Sequence, residues 1–154
     1  ANALAETFDD PSVVAGKRVT RGGVVGEGEL AVVREGVLGV VPELAGFSYS
    51  AGACDAVGVA ALAAEVAGTD DGVAVGAEIV EVTRGGEKCT SFAECRDLIA
   101  AGTSDFDYDG VSGGLVFADV GEPTIASILT LEFDETGTLQ VVGSVEGSFD
   151  PDAE

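Results

Sequence analysis

The sequence contains no histidine, no tryptophan and no methionine, and aromatic residues make up only 6% of its 154 positions. Because histidine is the commonest general base and a principal zinc ligand, its absence argues against a zinc centre and against an activated serine or cysteine nucleophile. We therefore expect the chain not to be an enzyme and to hold no cofactor. Packing must rely on the alanine, valine and glycine residues that dominate the composition.

Basic residues are also scarce, with 7 lysines and arginines against 28 acidic residues and a formal net charge of −21. Such a charge repels nucleic-acid phosphates and anionic lipid headgroups, so we expect neither as a partner. We also expect no membrane insertion, because no apolar run should reach the roughly 18 residues of a span. Pro42 and Glu43 interrupt a valine-rich stretch, and Asp70 and Asp71 end an alanine-rich one.

The length is typical of a single domain, which would bury about 70% of its unfolded surface. Because the chain begins at Ala1 without an initiator methionine or a basic, apolar leader, we expect a processed or partial sequence. Composition divides the 1–154 unit, a single domain or a fragment, into four parts. These are a poorly defined N-terminal segment (1–46), a helical part (47–102), a strand-rich part (103–145) and an acidic tail (146–154).

Hydrophobic periodicity predicts an α/β or α+β fold in which helices precede a C-terminal antiparallel hairpin or sheet. Helices are expected at 29–41, 53–67, 73–82 and 92–101, and strands at 115–117, 125–133 and 138–142. Ser91 and Glu94 have the spacing of a capping box at the start of the last helix. Residues 134–137, which end in Gly137, predict the turn between the last two strands.

Cys89 and Cys95 are six residues apart and flank a turn into a predicted helix. A disulfide between them would close a short loop and stabilise the fold by roughly 2 kcal/mol. We favour a disulfide over a metal site, because the chain has no histidine and the third cysteine is distant. That third residue, Cys54, is expected either to be a small buried side chain or to form an intermolecular bridge.

The run of alternating aspartates Asp105, Asp107 and Asp109, followed by Gly110, imitates the opening of an EF-hand calcium loop. The twelfth position is Val116, although such a loop requires a bidentate glutamate there. We therefore favour an acidic turn, in which the aspartates cap local N–H groups, and keep a weak calcium site as the alternative.

Several segments together resemble one protein family in residue type and in order. They are 4–13, 47–51, 55–57, 60–63, 85–95 and 102–113, with 117, 121–123 and 133–134 fitting the closing strands. The chain resembles the C-terminal portion of the extracytoplasmic solute-binding proteins of ABC importers, in the Leu/Ile/Val-binding (type I periplasmic binding protein) group. The match covers most of 1–13 and 47–142, whereas 17–45 match poorly.

The resemblance implies a partial type I periplasmic-binding-protein fold, located in the periplasm, on the cell surface or outside the cell. It implies an amino acid as the ligand, and a missing N-terminal lobe and an ABC permease as partners. Most family residues that grip the solute lie upstream of the matching portion, so no ligand-binding residue is assigned here. Cys54 departs from the family, whose members commonly carry tyrosine at this position.

Two functions follow from this resemblance. The first is a module of a branched-chain amino acid importer that does not bind solute tightly by itself. The alternative is a self-associating structural or extracellular assembly protein that reuses the half-fold as a homo-oligomer, because a truncated lobe would expose apolar surface and unpaired strand edges.

Overall fold

A computed structural model of the chain describes residues 7–24, 28–44 and 46–150, without the side chains of residues 28 and 29. Within these residues the protein is mixed α/β, with four α-helices, a three-stranded antiparallel sheet and a two-stranded parallel sheet, so the predicted α/β class is confirmed. After a 3-10 helix (Pro11–Val14), the elements are β1 (Arg18–Gly22), α1 (Gly28–Val40), α2 (Ser50–Ala67), α3 (Gly72–Glu78), β2 (Glu87–Cys89), α4 (Phe92–Ala100), β3 (Phe106–Tyr108), β4 (Ile125–Phe133) and β5 (Leu139–Ser148). Residues 4–6 of the first family-like segment and 151–154 of the predicted tail lie outside the described residues.

The helices lie close to their predicted positions, and the largest difference is in α3. Helix α2 ends as predicted, where Gly68 adopts the left-handed conformation with φ of 63°, which glycine tolerates best. Asp71 caps the start of α3 by accepting two backbone N–H groups. The helix then ends at Glu78 rather than at residue 82, and a turn replaces its predicted last part.

Helix α2 is 18 residues long with a mean hydropathy of 1.4, so by length and composition alone it could cross a membrane. It is the one helix in the described part of the chain that meets these criteria. The helix is not an uninterrupted apolar run, because it includes Asp55 and Glu65. Leu62 and Ala63 of this helix are fully buried within the protein.

Elements β2, α4 and β3 form a βαβ unit that the sequence did not predict. Strands β2 and β3 pair in parallel, with Glu87 opposite Phe106 and Cys89 opposite Tyr108, and α4 connects them. All three residues of β3 are buried, although its aspartate pattern predicted a turn. On its other side, the N–H of Tyr108 donates to the carbonyl of Val82 at 3.1 Å.

The larger hydrophobic cluster, here called the main core, lies between α2 and the βαβ unit. Its buried members are Val59, Leu62, Ala63, Val82, Cys89, Cys95, Phe106 and Tyr108. Apart from the two aromatic residues these side chains are small or branched, as the composition led us to expect. Complete burial of a valine or leucine side chain contributes about 1.5–3 kcal/mol.

The antiparallel sheet, here called the outer sheet, has the strand order β1-β4-β5. Its first strand comes from the N-terminal segment 1–46, which also contains α1. The expected order, with all helices before the sheet, is therefore wrong. Strand β1 was not predicted, because the glycines around it and the two arginines within it, Arg18 and Arg21, leave no clear alternation of apolar residues.

The other strand predictions differ in quality. Strand β4 coincides with the predicted 125–133, whereas β5 continues to Ser148 rather than ending at residue 142. The predicted acidic tail, 146–154, therefore begins inside a strand. Residues 115–117 do not form a strand, and a single bridge joins Phe117 to Pro123.

The turn between β4 and β5 forms at the predicted residues, and Gly137 has the positive φ, 75°, that the turn requires. One carboxylate oxygen of Asp134 accepts the N–H groups of Thr136 and Thr138, each at 2.9 Å. The other accepts from the amide of Gln140 at 3.1 Å. These bonds, led by the one from the Thr136 hydroxyl, lower the pKa of Asp134 to about 2.

Candidate functional site

The most highly organised polar group is the carboxylate of Asp55, which is buried on α2 with 1% exposure. The Tyr108 hydroxyl and the Val111 N–H donate to Oδ1 at 3.1 and 3.0 Å. The Ser112 N–H donates to Oδ2 at 2.6 Å, and the Ser112 hydroxyl donates to the same oxygen. We call this arrangement of Asp55 with Tyr108, Val111 and Ser112 the Asp55 latch.

The latch requires a glycine beside the carboxylate. A Cβ atom at Gly110 would fall well inside contact distance of the Asp55 side chain. The chain therefore passes close enough for the next two N–H groups to reach the carboxylate. Because an unpaired buried carboxylate is strongly unfavourable, four donors are what make Asp55 tolerable in this interior.

The latch also changes the acidity of Tyr108, which is 5% exposed. Burial, followed by the negative charge of Asp55, raises the pKa of the Tyr108 hydroxyl. The phenol is thus held in its neutral, donating form. Asp55 was not among the site residues predicted from the sequence, although a single aspartate within an apolar helical stretch was a signal that it would need buried partners.

The three acidic residues considered for calcium differ in their surroundings. Asp105 is exposed, whereas Asp107 is buried on β3. The Lys88 ammonium lies 2.8 Å from Asp107 and 2.6 Å from Asp109, and these hydrogen bonds, that to Asp107 first, raise the pKa of Lys88. A cation already lies between the two carboxylates, and the described residues contain no group of three potential ligands for a metal ion. The geometry thus gives no support to the calcium alternative.

A disulfide joins Cys89 at the end of β2 to Cys95 in α4, with their Cα atoms 5.3 Å apart. Both cysteines are fully buried in the main core. Helix α4 starts with the predicted capping box, in which the Ser91 hydroxyl accepts the Glu94 N–H at 3.2 Å. Glu94 reaches back to the N–H of Thr90 at 2.8 Å, one residue earlier than the usual box.

Cys54 is exposed and forms no disulfide within the described residues. The interpretation of Cys54 as a small buried side chain is therefore wrong. Helical geometry explains this, because Cys54 precedes the inward-facing Asp55 and lies about 100° away around α2. An intermolecular bridge through Cys54 stays a prediction.

An apolar cavity adjoins the latch, with a volume of about 240 Å³. It is lined by Gly52, Asp55, Ala56, Val59, Ala60, Ile79, Leu115 and Phe117. Its walls thus come from α2, from the segment after α3 and from the segment that was predicted to be a strand. This volume is below the roughly 300–1,000 Å³ of typical ligand pockets, and it suits a branched aliphatic side chain better than a large ring.

A second cluster lies where α2 begins, in the family-like segment 47–51. Tyr49 precedes the helix with φ of 66°, a left-handed conformation that is uncommon for a residue other than glycine. Arg21 of β1 donates to the Ser48 hydroxyl, and the Arg34 guanidinium lies 4.9 Å from the centre of the Phe47 ring. These contacts connect the N-terminal elements to the start of α2.

Comparison of the chain with protein-family models, with curated proteins and with solved structures finds no match in any of the three. The resemblance to solute-binding proteins therefore rests only on the sequence segments given above.

Proposed function

We propose that this chain is a module of an extracytoplasmic solute-binding protein related to branched-chain amino acid import, with a partial type I periplasmic-binding-protein fold and no catalytic step of its own. One observation carries the proposal. The Asp55 latch and the main core bring together family-like segments that are far apart in sequence, namely 55–57, 85–95 and 102–113. The family-like segments therefore pack as one unit, as the parts of a single scaffold would.

The cavity beside the latch supports an apolar solute and also limits how tightly it could be held. Its walls are largely aliphatic, which suits a leucine, isoleucine or valine side chain. An amino acid also presents an ammonium and a carboxylate, which need paired charged or polar groups. The Asp55 oxygens are already engaged by four donors, so these groups must come from a second lobe. The partners of the chain are then that lobe and the importer's permease.

Methyl NMR and calorimetry test the proposal directly. We expect leucine at millimolar concentration to shift the methyl signals of Val59, Ile79 and Leu115, whereas aspartate leaves them unchanged. The dissociation constant should be of order 1 mM or weaker, because the charged ends of the solute remain in water. Micromolar binding would contradict the need for a second lobe, and the absence of any methyl shift would contradict the cavity as the solute site.

A matched pair of variants distinguishes the cavity from the rest of α2. Ala60→Phe fills the cavity, since Ala60 lines it, and should abolish the leucine-induced shifts. Ala53→Phe changes an exposed alanine on the same helix outside the cavity and should preserve them. Equal loss in both variants would indicate that leucine does not occupy this cavity.

The disulfide supports an oxidising, extracytoplasmic location, where such bonds form and persist. Mass spectrometry of the protein from its native source should find Cys89 and Cys95 linked. Free thiols at both positions would contradict this part of the proposal.

A further inference from the structure

Strand β5 is an exposed edge of the outer sheet. Every residue from Gln140 to Ser148 is exposed, including Val141, Val142 and Val145, which is 65% exposed. Among the described residues, the backbone hydrogen bonds of β5 run to one side only, toward β4. Long exposed edge strands with little charge pair readily with other strands. In a chain of net charge −21, the ten residues of β5 contain a single charge, Glu146.

The direction of each backbone group in β5 follows from the ladder. The N–H of Phe149 donates to the carbonyl of Thr124, just before β4, at 3.0 Å. Because directions alternate along an antiparallel ladder, Val145 also bonds inward to β4. The N–H and C=O groups of Ser144 and Glu146 must then point to the free edge.

Among two-fold axes at Ser144, Val145 and Glu146, charge and regularity favour the one at Val145. A two-fold axis at Val145 places Ser144 opposite Glu146 of the second copy, so a hydroxyl faces the carboxylate. An axis at Glu146 would set two glutamates against each other, which is unfavourable. An axis at Ser144 would place Val142 opposite Glu146 of the second copy. Val142 is the extra residue at the irregularity in the β4–β5 pairing, so this arrangement would be irregular.

We propose that the free edge of β5 is a homodimerisation surface, which pairs antiparallel with β5 of a second copy about a two-fold axis at Val145. Ser144 and Glu146 would exchange four backbone hydrogen bonds across the axis. The two Val145 side chains would meet as a non-hydrogen-bonded pair. This inference does not depend on the proposed solute binding.

The size of the contact sets the expected affinity. About six residues of each strand take part, or roughly 20 Å of edge. Such a contact buries less than the ~800 Å² per partner of a standard interface, so we expect reversible association with a dissociation constant of order 100 µM. Added salt should strengthen it, because salt screens the repulsion between two acidic copies.

Cross-linking tests the register. In a Cys54→Ser background, Val145→Cys places the two introduced thiols opposite each other at a separation that suits a disulfide. Mild oxidation should give a covalent dimer on non-reducing gels. The control Val142→Cys, at another exposed valine of the same strand, should give little. Equal cross-linking of both variants, or of neither, would overturn the proposed pairing.

Sedimentation equilibrium tests the association without a cross-link. Ser144→Pro removes two outward hydrogen bonds from the dimer and none from the β4 ladder, so the dissociation constant should rise roughly 30-fold. Val145→Glu should also weaken association, because it opposes two carboxylates across the axis. Val73→Glu, on an 84% exposed valine of α3, is the matched control and should preserve it.

Circular dichroism must show that each variant is folded. A wild-type chain that is monomeric at several hundred micromolar in high salt would overturn the proposal. Association that Val145→Glu leaves unchanged would also overturn it and would move the contact to another surface. Growth beyond a dimer would contradict the closed two-fold arrangement.

Discussion

The main core and the outer sheet are stabilised by different interactions. The main core buries eight residues between α2 and the βαβ unit, and it adds a disulfide and the Asp55 latch. The outer sheet has a small separate cluster, in which Val14 and Phe133 are buried and Leu139 packs against them. Its stability therefore depends more on backbone pairing and on the β4–β5 turn.

The difference shows how a sequence with few aromatic residues can still specify a fold. In the main core, every long-range polar bond of the latch converges on one carboxylate, so a single residue fixes the position of a loop. In the outer sheet, the register rests on local turn chemistry at Asp134 and Gly137. We expect changes in the main core to have the larger effects.

The largest effect should come from Asp55→Ala. This change leaves the donors at Tyr108, Val111 and Ser112 without their acceptor, and we expect a loss of about 3 kcal/mol or more. Urea unfolding measures it. Asp70→Ala, at an exposed aspartate after α2, is the control and should change stability by less than about 0.5 kcal/mol. Similar losses in both variants would mean that the latch contributes little.

Gly110→Ala should destabilise the protein by about 2 kcal/mol, because the new methyl group collides with Asp55. The double variant with Asp55→Ala should lose less than the sum of the two single losses, since the collision disappears. Strict additivity would refute the contact. Gly76→Ala, in an open position of α3, should instead stabilise by up to about 1 kcal/mol.

Replacement of both Cys89 and Cys95 by alanine should reduce stability by roughly 2 kcal/mol, because the unfolded chain gains the freedom of the closed loop. When the disulfide of the wild type is reduced, its midpoint of chemical unfolding should fall to the midpoint of the double variant. Cys54→Ser should leave the midpoint unchanged, because its side chain is exposed. A loss below about 0.5 kcal/mol for the double variant would mean that the disulfide contributes little to the stability of the βαβ unit.

The smallest effect concerns the outer sheet and depends on pH. The folded-state pKa of Asp134, about 2, lies below its ordinary value of 3.8. Its stabilising contribution is therefore complete above pH 3.8 and is lost as the pH falls through about 2. The stability difference between wild type and Asp134→Asn should shrink over this range in thermal unfolding. A difference that stays constant would show that the charge has no role in the turn.

Local patterns predicted the elements whose signals lie within a few residues of one another. Helix α2 and its glycine stop, the Ser91 and Glu94 box and the hairpin turn all depend on contacts within four or five positions. These interactions are nearly independent of the rest of the chain, so sequence spacing reveals them.

The missed elements depend on distant partners. Strand β1 owes its conformation to pairing with β4, more than one hundred residues later. Strand β3 carries an acidic turn pattern, yet Lys88 and the main core hold it extended. The position of Asp55 beside the 108–112 loop could not be read from spacing, because helical geometry does not say which residue a side chain meets across the core.

The sequence by itself determined the charge, the dependence on small side chains, the helical segments and the hairpin turn. Tertiary structure decided that an isolated aspartate became the centre of a buried latch, that Cys54 faces outward and that β5 presents a free edge. The reason is physical: propensities and caps act over one or two turns of chain, whereas burial and strand pairing are decided by residues brought together only in the folded state.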